Sequence, residues 1–127
     1  MKATIASLIF LLLSLAVSSQ TYKYIGIEEG LSNQKIYRIQ KDARGYMWFL
    51  THVGIDRYNG KEIKHYKLKE GDRELDPLLN INWTFLDKTG TLLVTGKQGR
   101  IFRYDSGHDR FVQIYNMYNY WNKDYHA

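Results

Sequence analysis

The apolar and polar positions divide the chain into one leading apolar run and a series of short strand-like runs. Positions 5–17 are apolar or small, whereas the apolar runs after residue 22 are short and are separated by polar clusters that contain Gly, Asn or Asp. Short runs bounded by such turn residues are typical of β-strands. The pattern therefore predicts an all-β chain behind a single apolar leader.

The strand-like runs form two sets of four. In each set a first strand turns at Asp-x-x-Gly into a continuous apolar strand, and a second glycine turn leads to a third strand and a more polar fourth. A continuous apolar run is expected of a strand that is buried on both faces. The predicted strands are residues 35–40, Met47–Thr51, Gly54–Tyr58 and 62–67, and then Trp83–Leu86, Leu92–Thr95, 100–104 and 111–115.

The two sets are copies of one repeat. Asp42 recurs as Asp87 after 45 residues, and the Arg-Tyr pair that ends at Tyr58 recurs at Tyr104 after 46. Four strands in a period of this length are typical of a β-propeller blade. An eight-stranded sandwich fits the strand count as well, but its strands have no reason to reuse the same residues at a fixed interval. The positions that the repeat marks as structural are Asp42, Gly45, Trp48, Gly54, Tyr58, Asp87, Gly90, Gly99 and Tyr104.

The predicted fold is thus a partial β-propeller of about two four-stranded antiparallel blades, preceded by a signal-peptide helix. Residues 1–19 are the signal peptide, 20–34 an N-terminal strand (22–25) and lead-in, and 35–68 the first blade. Residues 69–82 are an inter-blade loop, 83–115 the second blade, and 116–127 an aromatic tail that could begin a third blade. Because repeat proteins need roughly three or more units to be stable, we expect poor autonomous folding.

The leader predicts export. Lys2 gives a positive start, the apolar run follows, and the small residues Val17 and Ser19 precede a cleavage position before Gln20. The alternative is an uncleaved anchor, which would tether the protein and leave its export unchanged. We therefore expect an exported, periplasmic chain that meets a membrane only through an uncleaved leader or through parts outside this sequence.

Composition excludes several classes of function. The net charge of +5 is spread among interspersed acids and bases, which favours a solvated surface over a nucleic-acid footprint. There is no cysteine, and the sequence contains no Gly-x-Ser-x-Gly, His-Glu-x-x-His or phosphate-loop motif. We expect no enzyme activity, no cofactor and no metal site. Aromatic side chains in the predicted strands are expected to fill the space between blades, and these are Trp48, Phe49, Phe85, Phe102 and Phe111.

The first copy resembles a known family. The similarity lies in Gly-Leu-Ser-Asn at 30–33, in Asp-x-x-Gly-Tyr-Met-Trp at 42–48, and in the run from Thr51 to Gly60. These residues resemble the two-component regulator propeller repeat of the periplasmic sensor region of bacterial hybrid histidine kinases. The second copy departs from the pattern, because Leu93 stands in place of the tryptophan.

The resemblance implies the N-terminal part of a two-component sensor, in which the kinase lies in another region. It implies a carbohydrate-derived ligand, and the remaining propeller blades or a sensor kinase as partners. Ligands of propellers bind at loops around the channel mouth, and the equivalent loops here offer the candidate ligand-binding residues Thr51, His52, Lys97 and Gln98. The alternative function is a stand-alone periplasmic protein-interaction module that uses its open strand edges or aromatic tail.

Overall fold

The computed structural model describes residues 1–14, 20–77, 81–117 and 119. It contains one α-helix, α1 (Lys2–Ser14), followed by short strands. Within the described residues, no helix combines the length and apolar character needed to cross a membrane. The strands are β1 (Ile36–Lys41), β2 (Met47–Thr51), β3 (Gly54–Tyr58), β4 (Ile63–Tyr66), β5 (Lys69–Glu70), β6 (Arg73–Glu74), β7 (Trp83–Leu86), β8 (Leu92–Thr95), β9 (Arg100–Asp105) and β10 (Arg110–Asn116).

Two four-stranded antiparallel sheets confirm the predicted partial propeller. Blade 1 has the order β1-β2-β3-β4, and blade 2 has the order β7-β8-β9-β10. Each strand pairs with the next one along the chain, as in a meander. The two sheets contact each other at their first strands, β1 and β7, so this is the edge at which the blades converge.

A single core lies between the two sheets. Trp48 and Leu50 of β2 belong to this core together with Phe102 and Val94 of blade 2. Four rings, those of Trp48, Tyr66, Tyr104 and Phe111, have centroids within 4.7–5.8 Å of one another. Because edge-to-face pairs add to the gain from burial, this cluster is the main contact between the blades.

Phe85 does not join this core, so its predicted core position was wrong. It is 38% exposed, and Trp83 on the same face of β7 is 55% exposed. Thr84 and Leu86 point toward the core instead, since side chains alternate across a strand. Trp48, Phe102 and Phe111 belong to the core between the sheets, as predicted, whereas Phe49 is buried outside it.

The segment between the blades contains a hairpin where a solvated loop was expected. Lys69 pairs with Glu74 and Glu70 with Arg73, and Gly71 makes the turn with a φ of +61°. The charged residues suggested a loop, but Gly-Asp is also a favourable two-residue hairpin turn. Strand β5 contacts β10 of blade 2.

The lead-in (residues 20–34) does not form the strand predicted at 22–25. No strand among the described residues lies beside it to complete a ladder, so it runs as irregular backbone over the face of blade 1 opposite blade 2. Leu31 is 4% exposed. The backbone N–H and the hydroxyl of Ser32 both donate to Asp56 Oδ2, at 2.8 Å each. The lead-in therefore covers the buried Asp56, which would otherwise lack donors on that side.

The first turn of each blade is built on an aspartate. Oδ1 of Asp42 accepts the backbone N–H groups of Arg44 at 2.9 Å and Tyr46 at 3.0 Å. Oδ1 of Asp87 accepts those of Thr89 at 2.8 Å and Thr91 at 3.0 Å. An aspartate that binds its own turn in this way is a common turn device, and its appearance in both copies explains why the repeat reuses it.

Candidate functional site

Thr51 is engaged within the protein. It is 3% exposed, its hydroxyl donates to the carbonyl oxygen of Gly54 at 3.1 Å, and it lies 3.0 Å from the Ser32 hydroxyl. These contacts close the turn between β2 and β3 and fix the lead-in against it. The hydroxyl therefore supports the shape of the site and offers little to a ligand.

His52 lies beside it at the rim of a cavity. Its Nδ1 is 2.6 Å from the hydroxyl of Tyr37, and its backbone N–H donates to the carbonyl oxygen of Lys35 at 3.1 Å. Both the ring pair and the backbone bond tie the β2–β3 turn to β1. The imidazole is thereby held in one orientation, with Tyr37 55% exposed next to it.

Lys97 and Gln98 belong to a 3-10 helix, Lys97–Gly99, at the equivalent turn of blade 2. Lys97 is exposed and is not among the residues that line the cavity beside His52. The side chain of Gln98 lies outside the described residues. A Cβ on Gly99 would lie 2.4 Å from Cβ of Met117, so this turn packs against the end of β10. The turn at His52 therefore packs against the start of blade 1, whereas the turn at Lys97 packs against the end of β10.

The cavity has a volume of about 360 Å³ and lies at the edge where the blades converge. Its walls come from β1, the end of β2, the start of β7 and the segment before β7. The described residues that line it are Tyr37, Arg38, Leu50, Thr51, His52, Pro77, Ile81, Asn82 and Trp83. It is an apolar space with a few polar groups, which is the usual character of a small-molecule site.

Arg38 and Trp83 join the two blades at this cavity. The guanidinium carbon of Arg38 lies 3.8 Å from the centroid of the Trp83 ring. Arginine stacks on aromatic faces through its planar, weakly hydrated cation. The stack holds a cation and an indole together beside the open space.

Sequence reasoning identified only one side of this site. It found Thr51 and His52 by their loop position, but missed Tyr37, Arg38 and Trp83. The alternation in β7 carried a usable signal, since Thr84 and Leu86 as core positions turn Trp83 outward. A large ring on the outward face of an inner strand is a binding candidate.

A second polar cluster lies between the blades and is centred on Asp109, in the turn before β10. Asp109 accepts hydrogen bonds from Arg57 at 3.0 Å, Tyr66 at 2.5 Å and Tyr104 at 2.6 Å, and also from Lys64. Its φ is +50°, a conformation that aspartate tolerates better than most residues. Blade 1 supplies Arg57, Lys64 and Tyr66, so the carboxylate ties the two blades together.

The contacts of Asp109 shift the pKa values within the cluster. Partial burial opposes ionisation of Asp109, but hydrogen bonds from Lys64, Tyr104 and Tyr66 and the charge of Arg57 bring its pKa well below the ordinary value. Burial, together with the hydrogen bond to Asp109, raises the pKa of Tyr104 to about 12. Burial also raises the pKa of Tyr66. Asp109 is therefore a carboxylate and both tyrosines are neutral donors near neutral pH, as a structural tie requires.

Fold and repeat together define a β-propeller blade protein. The family model described as two component regulator propeller matches residues 30–52, from the start of Gly-Leu-Ser-Asn through β1 and β2. The chain therefore carries a two component regulator propeller repeat in this segment. No curated protein matches the chain.

Proposed function

We propose that this chain is the N-terminal part of an extracytoplasmic propeller sensor of a two-component signal transduction system. In this proposal it binds a carbohydrate-derived ligand and has no kinase or other catalytic activity of its own. The matched repeat supports the sensor class. The apolar helix α1 at the N-terminus is consistent with a signal peptide and hence with export.

The observation that carries the ligand proposal is the cavity between the blades. The Trp83 ring is 55% exposed, and an apolar sugar face can stack on the part of it that Arg38 does not cover. His52, Tyr37 and Asn82 place hydrogen-bonding groups around the same space. A ligand held there contacts both blades, so binding would resist their separation and could be transmitted along the propeller to a kinase in another region.

Export can be tested with a fusion of the full chain to alkaline phosphatase, which forms its disulfides only in an oxidising compartment. We expect phosphatase activity with the native leader and its loss when residues 1–19 are deleted. Activity without the leader, or none with it, would contradict the extracytoplasmic assignment.

Ligand binding can be tested by thermal melting of the full chain with a panel of neutral and acidic oligosaccharides. We expect at least one of them to raise the melting temperature, because a ligand that binds only the folded state stabilises it. The variant Trp83→Ala should abolish the shift, whereas Phe85→Ala should retain it. Phe85 is the matched control, since it is an exposed ring on the same strand that does not line the cavity.

A panel that leaves the melting temperature unchanged would overturn the ligand proposal. The alternative, a stand-alone periplasmic protein-interaction module, is favoured by one observation. Strand β10 forms the outer edge of blade 2 and exposes Val112, Ile114 and Tyr115, at 37%, 53% and 41%. Exposed strand edges accept partners by strand addition. Substitution of Ile114 by Lys would impair that function and leave sugar binding intact.

A further inference from the structure

Arg38 differs from other arginines that contact the interface between the blades. Arg38 and Arg57 each have a buried Nε without a hydrogen-bond partner. Arg57 pairs with Asp109 through another nitrogen, and Arg100 pairs with Glu70. Among the described residues, the Arg38 side chain has no carboxylate partner, and its guanidinium stacks on the ring of Trp83. The N–H groups of the Arg38 guanidinium are therefore available to a ligand.

The described residues that line the cavity around Arg38 include no Asp or Glu. Asp76 lines a neighbouring depression, which shares His52 and Pro77 with the cavity. A guanidinium inside a mostly apolar cavity attracts an anion more strongly than the same group in water.

We infer that the ligand of this cavity carries a carboxylate, and that Arg38 binds it while remaining stacked on Trp83, whose uncovered part contacts the adjoining sugar ring. This rests on the proposed carbohydrate function and specifies it as recognition of uronic-acid saccharides. Arginine forms paired hydrogen bonds with a carboxylate in one plane. The stack on Trp83 fixes that plane, so little side-chain freedom is lost when the ligand arrives.

The size of the cavity agrees with a short saccharide. Its volume of about 360 Å³ lies near the lower end of the range for small-molecule sites, about 300–1,000 Å³. His52 and Tyr37, which also line the cavity, offer ring groups for the hydroxyls of a second sugar unit. The geometry therefore fits a uronate unit at Arg38 with a further unit toward the β2–β3 turn.

The inference is tested with two matched pairs of disaccharides, measured by calorimetry on the full chain. One pair is digalacturonate and galactobiose, and the other is cellobiouronate and cellobiose. We expect an acidic member to bind roughly tenfold or more tightly than its neutral partner, since a hydrogen bond to a charged group is worth about 1.5–3 kcal/mol. The variant Arg38→Met should remove that preference, and Arg38→Lys should retain part of it.

The control variant is Arg44→Met, because Arg44 is exposed in the first turn of blade 1 and does not line the cavity. It should leave the preference unchanged. Equal affinity for the two members of each pair, or an acid preference that survives Arg38→Met in a variant that melts like the wild type, would overturn the inference while the proposed function stands. If no disaccharide of either pair binds but other neutral oligosaccharides do, the inference fails. If no saccharide binds at all, both fail.

Discussion

The first turn of each blade is closed by an equivalent aspartate, Asp42 or Asp87, but Oδ2 of the two aspartates accepts a hydrogen bond from different donors. In blade 1, Oδ2 of Asp42 accepts the indole N–H of Trp48 at 2.8 Å. In blade 2 that tryptophan is replaced by Leu93, and Oδ2 of Asp87 accepts Nε of Arg103 at 3.1 Å. The repeat thus preserves a bound aspartate and changes the donor.

The choice of donor decides what the arginine of β3 or β9 can do. Because Trp48 binds Asp42, the equivalent Arg57 is free to cross the interface to Asp109 and Tyr104. Arg103 occupies the same position in blade 2 but stays within its own sheet. The arginine that joins two blades thus accompanies Trp48, and the one that stabilises a single turn accompanies Leu93.

The largest effect should follow from making blade 1 resemble blade 2 at this position. Trp48 is 1% exposed and contacts the rings of Tyr66, Tyr104 and Phe111, so Trp48→Leu leaves a cavity and a buried Asp42 oxygen without its donor. We expect a loss of about 3 kcal/mol in the free energy of unfolding. Urea unfolding in sucrose, which favours the compact state, would measure it.

The matched control is Trp83→Leu, the same substitution at a ring that is 55% exposed. It should change the free energy of unfolding far less than Trp48→Leu. Similar losses at both positions would contradict the claim that Trp48 is the centre of the interface.

The difference between these two tryptophans also shows what the sequence could reveal. The turns were predictable because Asp42 and Gly45 act locally, and the two-faced burial of β2 follows from its continuous apolar run. The contact of Arg57 with Asp109 spans 52 residues and depends on how the sheets face each other, which no local pattern encodes. The hydrogen bonds from Ser32 to Asp56 could not be predicted either, because they also join distant residues and the lead-in has no strand periodicity. Of the cavity, only Thr51 and His52 were predicted, because the cavity forms where residues of two different blades meet.

A smaller loss is expected when the tie between the blades is cut and both turns are left intact. Asp109→Asn keeps the side-chain shape but leaves Arg57, whose side chain is 13% exposed, without its carboxylate. We expect a loss of about 2 kcal/mol, at the low end for a charged hydrogen-bonded group because Asp109 is 37% exposed. Asp72→Asn, at an exposed carboxylate of the β5–β6 turn, should have little effect in the same urea experiment. An equal loss in both variants would show that Asp109 is an ordinary surface acid.

The contribution of Asp109 should depend on pH in a defined direction. Its pKa is lower in the folded chain than the ordinary unfolded value of about 3.9, so the stabilisation is complete above that pH. It is lost progressively as the pH falls from about 4 toward the folded pKa, because the unfolded chain takes up a proton more readily. The gap in unfolding free energy between wild type and Asp109→Asn should therefore narrow below about pH 4. A gap that stays constant down to about pH 2 would contradict the assignment of the lowered pKa to Asp109.

The smallest effects should come from blade 2, where the donor lies at the surface. Arg103 is 45% exposed and its partner Asp87 is bound mainly by its own turn, so Arg103→Met should lower the melting temperature less than Asp109→Asn does. Leu93→Trp would offer Asp87 the donor that Asp42 has in blade 1. In that background Arg103→Met should cost less than in the wild type, because the indole then satisfies Oδ2. Additive effects of the two substitutions in a double-mutant cycle would mean that Trp and Arg do not compete for Oδ2 of Asp87. That result would contradict the claim that the two blades use alternative donors for the same aspartate oxygen.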